Sequence, residues 1–435
     1  MSKQTDRDIT GILDKTMEWS RQRSYAGHSK HDALNSRFLE ACSMNNAFLR
    51  LLITQLVMRC PFNIRPFLGV PRLRNPKGVG LFAYALLDLA GISTDENSKE
   101  QHLSEAEELL KWLIGSSSPN APASTVIRHA FELESESVDR LEDGASKLIG
   151  MGWGYHYPWQ DQGFFQPRHY PNRVVTSWIG FAFLRAYEIG HDHRYLDACR
   201  EIAEFLTENP RVLYEDEDKL CYSYVPLRDI DWAVMDVSAL VSAFLARYAA
   251  ALDRAGRDGG DFRELAGRLM SFVVDKQTDY GAWFYTWPAG DSHIKHDNYH
   301  TGIILDCLAD YMSYARDQRW NQQYLKGLAY YRKALFSSRG APRWMNDREF
   351  PRDIHGAAAG ILAFTRAAAF DGENADAHLG MADQILEWTV GNLYDARGFF
   401  RYQKTRFYRK NFCLMRWGNA WMCRAIAQRL QFNGC

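Results

Sequence analysis

The feature that most constrains this chain is a repeat of about sixty residues, because self-similarity at that period admits few architectures. A short Gly/aromatic segment recurs as GWGYHYPW from 152, CYSYVP from 221, GAWFYTWP from 281, APRWMN from 341 and GFFRYQ from 398. With Trp153, Tyr222, Trp283, Trp344 and Phe399 as anchors, the steps are 69, 61, 61 and 55 residues. After each anchor comes a polar stretch and then a nearly all-apolar helical pattern, as in VVTSWIGFAFLRAYE from Val174 or IHGAAAGILAFTRAAA from Ile354. A more polar amphipathic pattern follows, as in HRYLDACREIAEFL and FRELAGRLMSFVV. Helices apolar all round belong inside, and one-faced helices cover them. GVGLFAYALLDLAG at 78 with EAEELLKWLIG at 105 makes an earlier pair, and MRWGNAWMCRAIAQRL at 415 a last inner helix. Six inner and six outer helices predict an all-α, single-domain (α/α)6 toroid, since an open stack of so few hairpins would leave two apolar ends. Residues 76–435 are expected to form the ring and 1–75 a helical segment packing on it. The helix around Phe38 to Met58 is the candidate to close the ring, and SSSPNAPAS from 116 reads as a loop within the domain.

Charge narrows the partners. Fifty-two basic residues against 53 acidic ones leave −1 overall, so no global excess of positive charge exists to hold a nucleic acid. The apolar run near Leu51 to Met58 is far shorter than the roughly 20 residues of a spanning helix, and the polar MSKQTDRDIT start lacks the pattern of a secretory signal. A cytoplasmic protein is the expectation. The eight cysteines form no CxxC pair, which favours reduced thiols over a zinc ribbon or a disulfide frame.

In a toroid, the Gly/aromatic segments and the inner-helix N-termini gather at one mouth, where unpaired N–H groups favour an anion. Aromatic rings among polar groups suit a sugar. Trp153, Trp159, Trp283, Tyr224, Tyr285 and Tyr402 are candidates to line such a site, about half of the mouth's rings being expected to pack loops instead. Two basic segments, RCPFNIRPFLGVPRLRNPK from 59 and RYQKTRFYRK from 401, point to an acidic sugar, an oligosaccharide or a lipid-linked sugar.

Three stretches combine titratable groups at inner-helix starts: HIKHDNYHTG from 293, PRDIHGAA from 351 and GWGYHYPWQ with His156 and, further on, Arg173. Abstraction of a proton beside a carboxylate needs an acid, a base and cations on the carboxylate. His300 and His355 are the candidates for base and acid, with Tyr155 or Tyr299 as alternate proton carriers. Arg173, Arg352, Arg401 and Asn298 are the candidates to bind the substrate. A hydrolase would instead pair Asp297 with Asp353, holding Asp161, Asp231 and Asp236 in reserve, unless the first two cap their helices. A non-catalytic glycan-binding or scaffold subunit is the third reading. His296 and His300 are spaced as metal ligands, but no HExxH completes the set, and neither a metal nor a cofactor is expected.

SYAGHSKHDALNS at 24 to 36, RNPKGVGLF at 74 to 82, GWGYHYPWQ, NRVVTSWIGFAFLRAYE, HDNYHTGIILDCL and FPRDIHGAAAGI resemble, in order, a group of six-hairpin toroid proteins found with bacterial polysaccharide-biosynthesis genes. The resemblance runs from about residue 20 to 425 and implies a role in capsule, exopolysaccharide or O-antigen synthesis, with possible contact with that machinery. Some members carry a δ-aminolevulinate dehydratase label, but that chemistry belongs to a β/α barrel with a Schiff-base lysine, and this chain has too few strands. Against the group's GYDKYDGLNS motif the chain has His28 and His31 in the variable places and keeps Asp32 and Asn35, which implies that the N-terminal segment reaches the mouth. The layout is more distantly similar to N-acylglucosamine 2-epimerases, glucuronyl C5-epimerases, unsaturated glucuronyl hydrolases and toroid polysaccharide lyases. None of their catalytic motifs aligns residue by residue.

Overall fold

A computed structural model describes residues 3–117, 127, 130, 131, 148–227 and 231–433. Most of the SSSPNAPAS stretch lies outside them. Along the chain come α1 (Lys3–Arg21), α2 (Arg37–Cys42), α3 (Ala47–Arg59), then five hairpins and a last helix. The hairpins are α4 (Pro76–Ile92) with α5 (Glu96–Gly115), α6 (Arg173–Gly190) with α7 (His193–Glu208), α8 (Met235–Arg254) with α9 (Gly260–Asp275), α10 (Asn298–Ala315) with α11 (Asn321–Leu335) and α12 (Ile354–Ala367) with α13 (Ala375–Leu393). The last helix is α14 (Trp421–Asn433), entered through a π turn at Arg416–Ala420.

The even-numbered helices α4, α6, α8, α10, α12 and α14 form a closed inner ring, each packed on the next and α14 returning to α4. Their small residues allow this approach: a Cβ at Gly80 would lie 3.2 Å from Ile179, and one at Gly180 only 2.5 Å from Phe244. Helix α8 is long and apolar enough to cross a membrane, but its side chains are almost wholly buried in the ring. The outer helices turn one stripe inward, as Leu196, Cys199, Ile202, Ala203 and Leu206 do on α7.

The sixth outer helix is a finding against expectation. It is α1, not the helix around Phe38 to Met58, that covers α14. Ile9, Leu13 and Met17 share the ring's core, while Ala33, Leu39, Val57 and Val70 form a separate small cluster under α2 and α3. The turn at Gly398 seats α1: it has φ +96°, and a Cβ there would lie 2.6 Å from the Lys15 carbonyl.

Short strands tie the loops at the N-terminal mouth to one another. Ala233–Val234 pairs with Thr286–Trp287, and Arg352–Asp353 with Gln403–Lys404, whose other edge pairs with Arg409–Lys410. Towards the other end of the inner helices, Arg247 pairs with Glu188, Arg185 and Arg424 with Asp88, and Arg366 with Asp306 and Asp310.

Candidate active site

Asparagine caps set where two of the inner helices begin. Asn75 Oδ1 accepts from Gly78 N, and Asn172 Oδ1 from Val175 N. The first turns so fixed converge on a cavity of about 800 Å³. All six inner helices of the ring's wall contribute: Lys77, Val174, Asp236, His300, His355 and Arg416 each stand at or just before the start of a different one. The cap over the cavity comes from the N-terminal segment, with Lys30, His31 and α3, and from the hairpin around Arg406. Asp32 holds the first of these in place, accepting from Ser29 N at 2.7 Å and from Arg65 Nε at 2.6 Å. The N-terminal segment thus reaches the mouth, as the resemblance implied.

At the centre Tyr299 lies between two histidines. Its ring is stacked on His355 (centroids 4.8 Å, planes 14° apart) and 4.1 Å from His300. Asp297 occupies the N-cap position of α10 without capping it; its carboxylate lies 2.9 to 3.0 Å from His300 Nδ1. Burial disfavours the His300 imidazolium, but Asp297 and Asp236 outweigh it and raise the pKa above the ordinary value. His355 is opposite in character. Burial, followed by the charges of Lys77, Arg416 and Lys30, pushes its pKa well down, so it is neutral near pH 7. Both its ring nitrogens are buried without a hydrogen-bond partner, and Trp417 and Trp421 hold the ring in place. A buried, unpartnered base facing a cavity is a functional candidate. Burial raises the pKa of Tyr155 and Tyr299, so both phenols keep their protons and the base role falls to histidine.

Three cations surround this pair with no ion-pair partner among the described residues. Lys30 Nζ sits 4.1 Å from the Trp417 ring centre and 5.3 Å from that of Trp344, and burial lowers its pKa to about 8. Lys77 lies against Trp178 and Trp421, its pKa lowered well below the ordinary value by burial and then by Arg416. Arg416 faces Tyr155 and donates to Tyr157 Oη at 3.3 Å. Asp236, whose Oδ1 has no partner, has its pKa raised by burial.

The structure brings Tyr155, Trp159, Tyr224, Tyr285, Tyr299, His300, His355 and Tyr402 to the cavity. Of the reserve carboxylates, Asp161 and Asp236 also line it. The following expected residues lie elsewhere, each for a local reason. Trp153 Nε1 donates to the Leu113 carbonyl of α5, and Trp283 Nε1 to the Val273 carbonyl of α9, so both indoles pin loops to outer helices. Asp353 caps α12 through His355 N and also accepts from Trp417 Nε1 and Gln403 Nε2. Asn298 bridges the Leu335 carbonyl and Tyr331 Oη. Arg173 is buried beneath Tyr222 and bonds the Ser223 carbonyl; Arg352 bonds the Pro342 carbonyl and Glu349; Arg401 bonds Asp395. His156 pairs with Asn75, and burial lowers its pKa to about 3. His296 is engaged by the Trp283 carbonyl and Tyr280 Oη.

The cavity is lined by Lys30, Lys77 and Arg416 rather than by Arg173, Arg352 and Arg401. Lys77 and Arg416 had a legible signal, each opening an inner helix in RNPKG and MRWGN; Lys30 sits in a loop with no periodicity to single it out.

No family model matches the chain, and no curated protein matches it in sequence. Among solved structures, a cellobiose 2-epimerase from Bacillus thermoamylovorans is similar over 82% of this chain and 88% of its own, with TM-score 0.57 and 11% identity. The fold is that of the (α/α)6 toroid. A GH76 α-mannanase from Bacteroides thetaiotaomicron covers 84% and 88% at TM-score 0.55 and 13% identity. An unsaturated glucuronyl hydrolase specific for heparin covers 84% and 89% at TM-score 0.54 and 11% identity.

Proposed function

We propose that the chain is a carbohydrate-active enzyme of polysaccharide biosynthesis that moves a proton at the carbon beside the carboxylate of an acidic sugar. The observation that carries this reading is the pair of histidines in one cavity, driven to opposite protonation states on either side of Tyr299. Neutral His355 takes the proton from the carbon. The electron pair left behind moves onto the carboxylate, whose oxygens Lys30, Lys77 and Arg416 neutralise. His300, kept protonated by Asp297, then delivers a proton. Delivery to the opposite face of the carbon gives an epimer; delivery to the departing glycosidic oxygen gives an unsaturated sugar. Tyr155, Trp159, Tyr224 and Tyr285 supply faces for sugar rings. The neighbouring structures act on carbohydrates by name, which agrees with this reading.

A second reading has a specific observation behind it. Asp236 and Asp161 both line the cavity, and burial raises both their pKa values, as the acid of a glycoside hydrolase requires. The Asp297 and Asp353 pair does not serve this role, one being bound to His300 and the other to its helix cap. The two readings part on products. Uronate-containing oligosaccharides incubated with the protein should yield an inverted centre by NMR or an unsaturated end by ultraviolet absorbance. Fragments that gain water would favour the carboxylates, and no change in any oligosaccharide that binds would leave a glycan-binding protein.

A further inference from the structure

Thirteen large apolar side chains are exposed among the described residues, and ten of them fall in two short stretches, eight between Phe38 and Leu73 and two at Phe407 and Tyr408. Phe48 is 69% exposed, Phe62 75%, Phe67 89% and Phe407 87%. On α3, Phe48, Leu52 and Leu56 stand at i, i+4 and i+8, one outward stripe, while Leu51, Gln55 and Met58 on the same helix line the cavity. Phe407 and Tyr408 line the same cavity from the opposing hairpin, which Lys410 clasps to the end of α3 through the Met58 carbonyl at 2.8 Å. Phe407 and Tyr408 thus stand at the cavity mouth, beside α3 with its outward apolar stripe, and Phe62 and Phe67 follow α3 closely in the chain.

Apart from the exposed Glu40, the charge in these stretches is of one sign. No Asp or Glu occurs between Glu40 and Asp88 or after Asp395, in a chain whose charges nearly cancel overall. Arg59, Arg72, Arg406 and Arg409 are exposed and have no ion-pair partner among the described residues. Exposed aromatic and aliphatic side chains among unopposed arginines are what an anionic bilayer surface takes up, rings at the acyl boundary and guanidinium groups at the phosphates. A second copy of the chain is a poor occupant, since a two-fold interface would set like charges against each other.

We propose that this face docks onto an anionic phospholipid bilayer, with the cavity mouth turned to the membrane plane. A mouth held there faces head groups, so an acidic sugar carried on a lipid diphosphate becomes the favoured substrate source. That consequence rests on the sugar reading above; the docking does not.

The test is co-sedimentation with phosphatidylcholine vesicles and with vesicles carrying about 40% phosphatidylglycerol, at low and high salt. The expected result is a bound fraction about tenfold higher on the anionic vesicles, falling with salt. The double variant Phe62→Ser/Phe67→Ser, whose rings face solvent outside the cavity, should bind about tenfold less with an unchanged thermal transition. Arg72→Glu should weaken binding to the anionic vesicles selectively. Binding to neither vesicle, or binding that the double variant keeps, would overturn the proposal. So would sedimentation as a dimer that the double variant dissociates, which would make the face a contact between copies. Vesicle binding without turnover of any sugar would instead sink the catalytic reading and leave the docking standing.

Discussion

His300 and His355 occupy equivalent places, near the first turns of consecutive inner helices, yet their surroundings give them opposite chemistry. The difference lies in the carboxylates: Asp297 lies against His300 and Asp236 adds its charge, whereas cations and rings surround His355. If His355 acts neutral and His300 protonated, the pH profile of turnover is bell-shaped. Activity should fall on the acid side as pH drops through the depressed pKa of His355, and on the alkaline side as pH rises through the raised pKa of His300. Asp297→Asn removes the charge that favours the imidazolium. Its alkaline limb should therefore move to lower pH, with the acid limb in place. A profile unchanged in Asp297→Asn would mean that His300 is not the acid. The sequence marked His300, His355 and Asp297 because each stands beside an inner-helix start. It could not say that Asp353 would be spent on a cap while Asp297 would not, since both precede their helices in the same way.

At the scale of elements, the repeated aromatic segment has a structural task first. Trp153 and Trp283 each give an indole N–H to a carbonyl in the last turn of an outer helix, adding to the donors from Ser116 and Lys276 that those carbonyls already accept. Trp153→Phe and Trp283→Phe should each lose about 1–2 kcal/mol in urea unfolding, and the double variant close to the sum, because the sites lie in different repeats. Sugar binding by the folded fraction should be unchanged. A loss of binding without a loss of stability would return both rings to the substrate. Eleven helices, α4 to α14, were legible from the alternation of apolar and one-faced patterns, and most starts were read to within a few residues, although α5 begins nine residues before the pattern read at 105 because its first turns are polar. Side-chain direction was not: a Trp in a Gly/aromatic turn can face the cavity or the outer layer, and only the packed structure decides.

Over the whole molecule, the two ends of the chain complete the ring together. Helix α1 covers α14, and the segment that follows α1 caps the mouth. The sequence places those elements more than 400 residues apart, so no local pattern joins them, although Ile9, Leu13 and Met17 carry the i, i+4, i+8 stripe of an outer helix. Deleting residues 1–24 uncovers α14 and removes these three buried side chains, on the order of 6 kcal/mol of burial, which approaches the whole stability of a typical domain. The shortened chain should unfold in calorimetry without a cooperative transition. A transition that stays sharp and within a few degrees would mean that five outer helices suffice.

The account's central claim is that His355 takes a proton from carbon. The direct measurement is mass spectrometry of a bound uronate-containing oligosaccharide in D2O, with the wild-type chain beside His355→Ala and a thermal melt of each. The claim predicts one deuterium on carbon in recovered or epimerised sugar, or an unsaturated end where the glycosidic bond breaks, with the wild type, and either change slower by about 100-fold or more in a variant that still folds. Either change running as fast with His355→Ala, or conversion of a bound sugar with neither deuterium on carbon nor an unsaturated end, would contradict it.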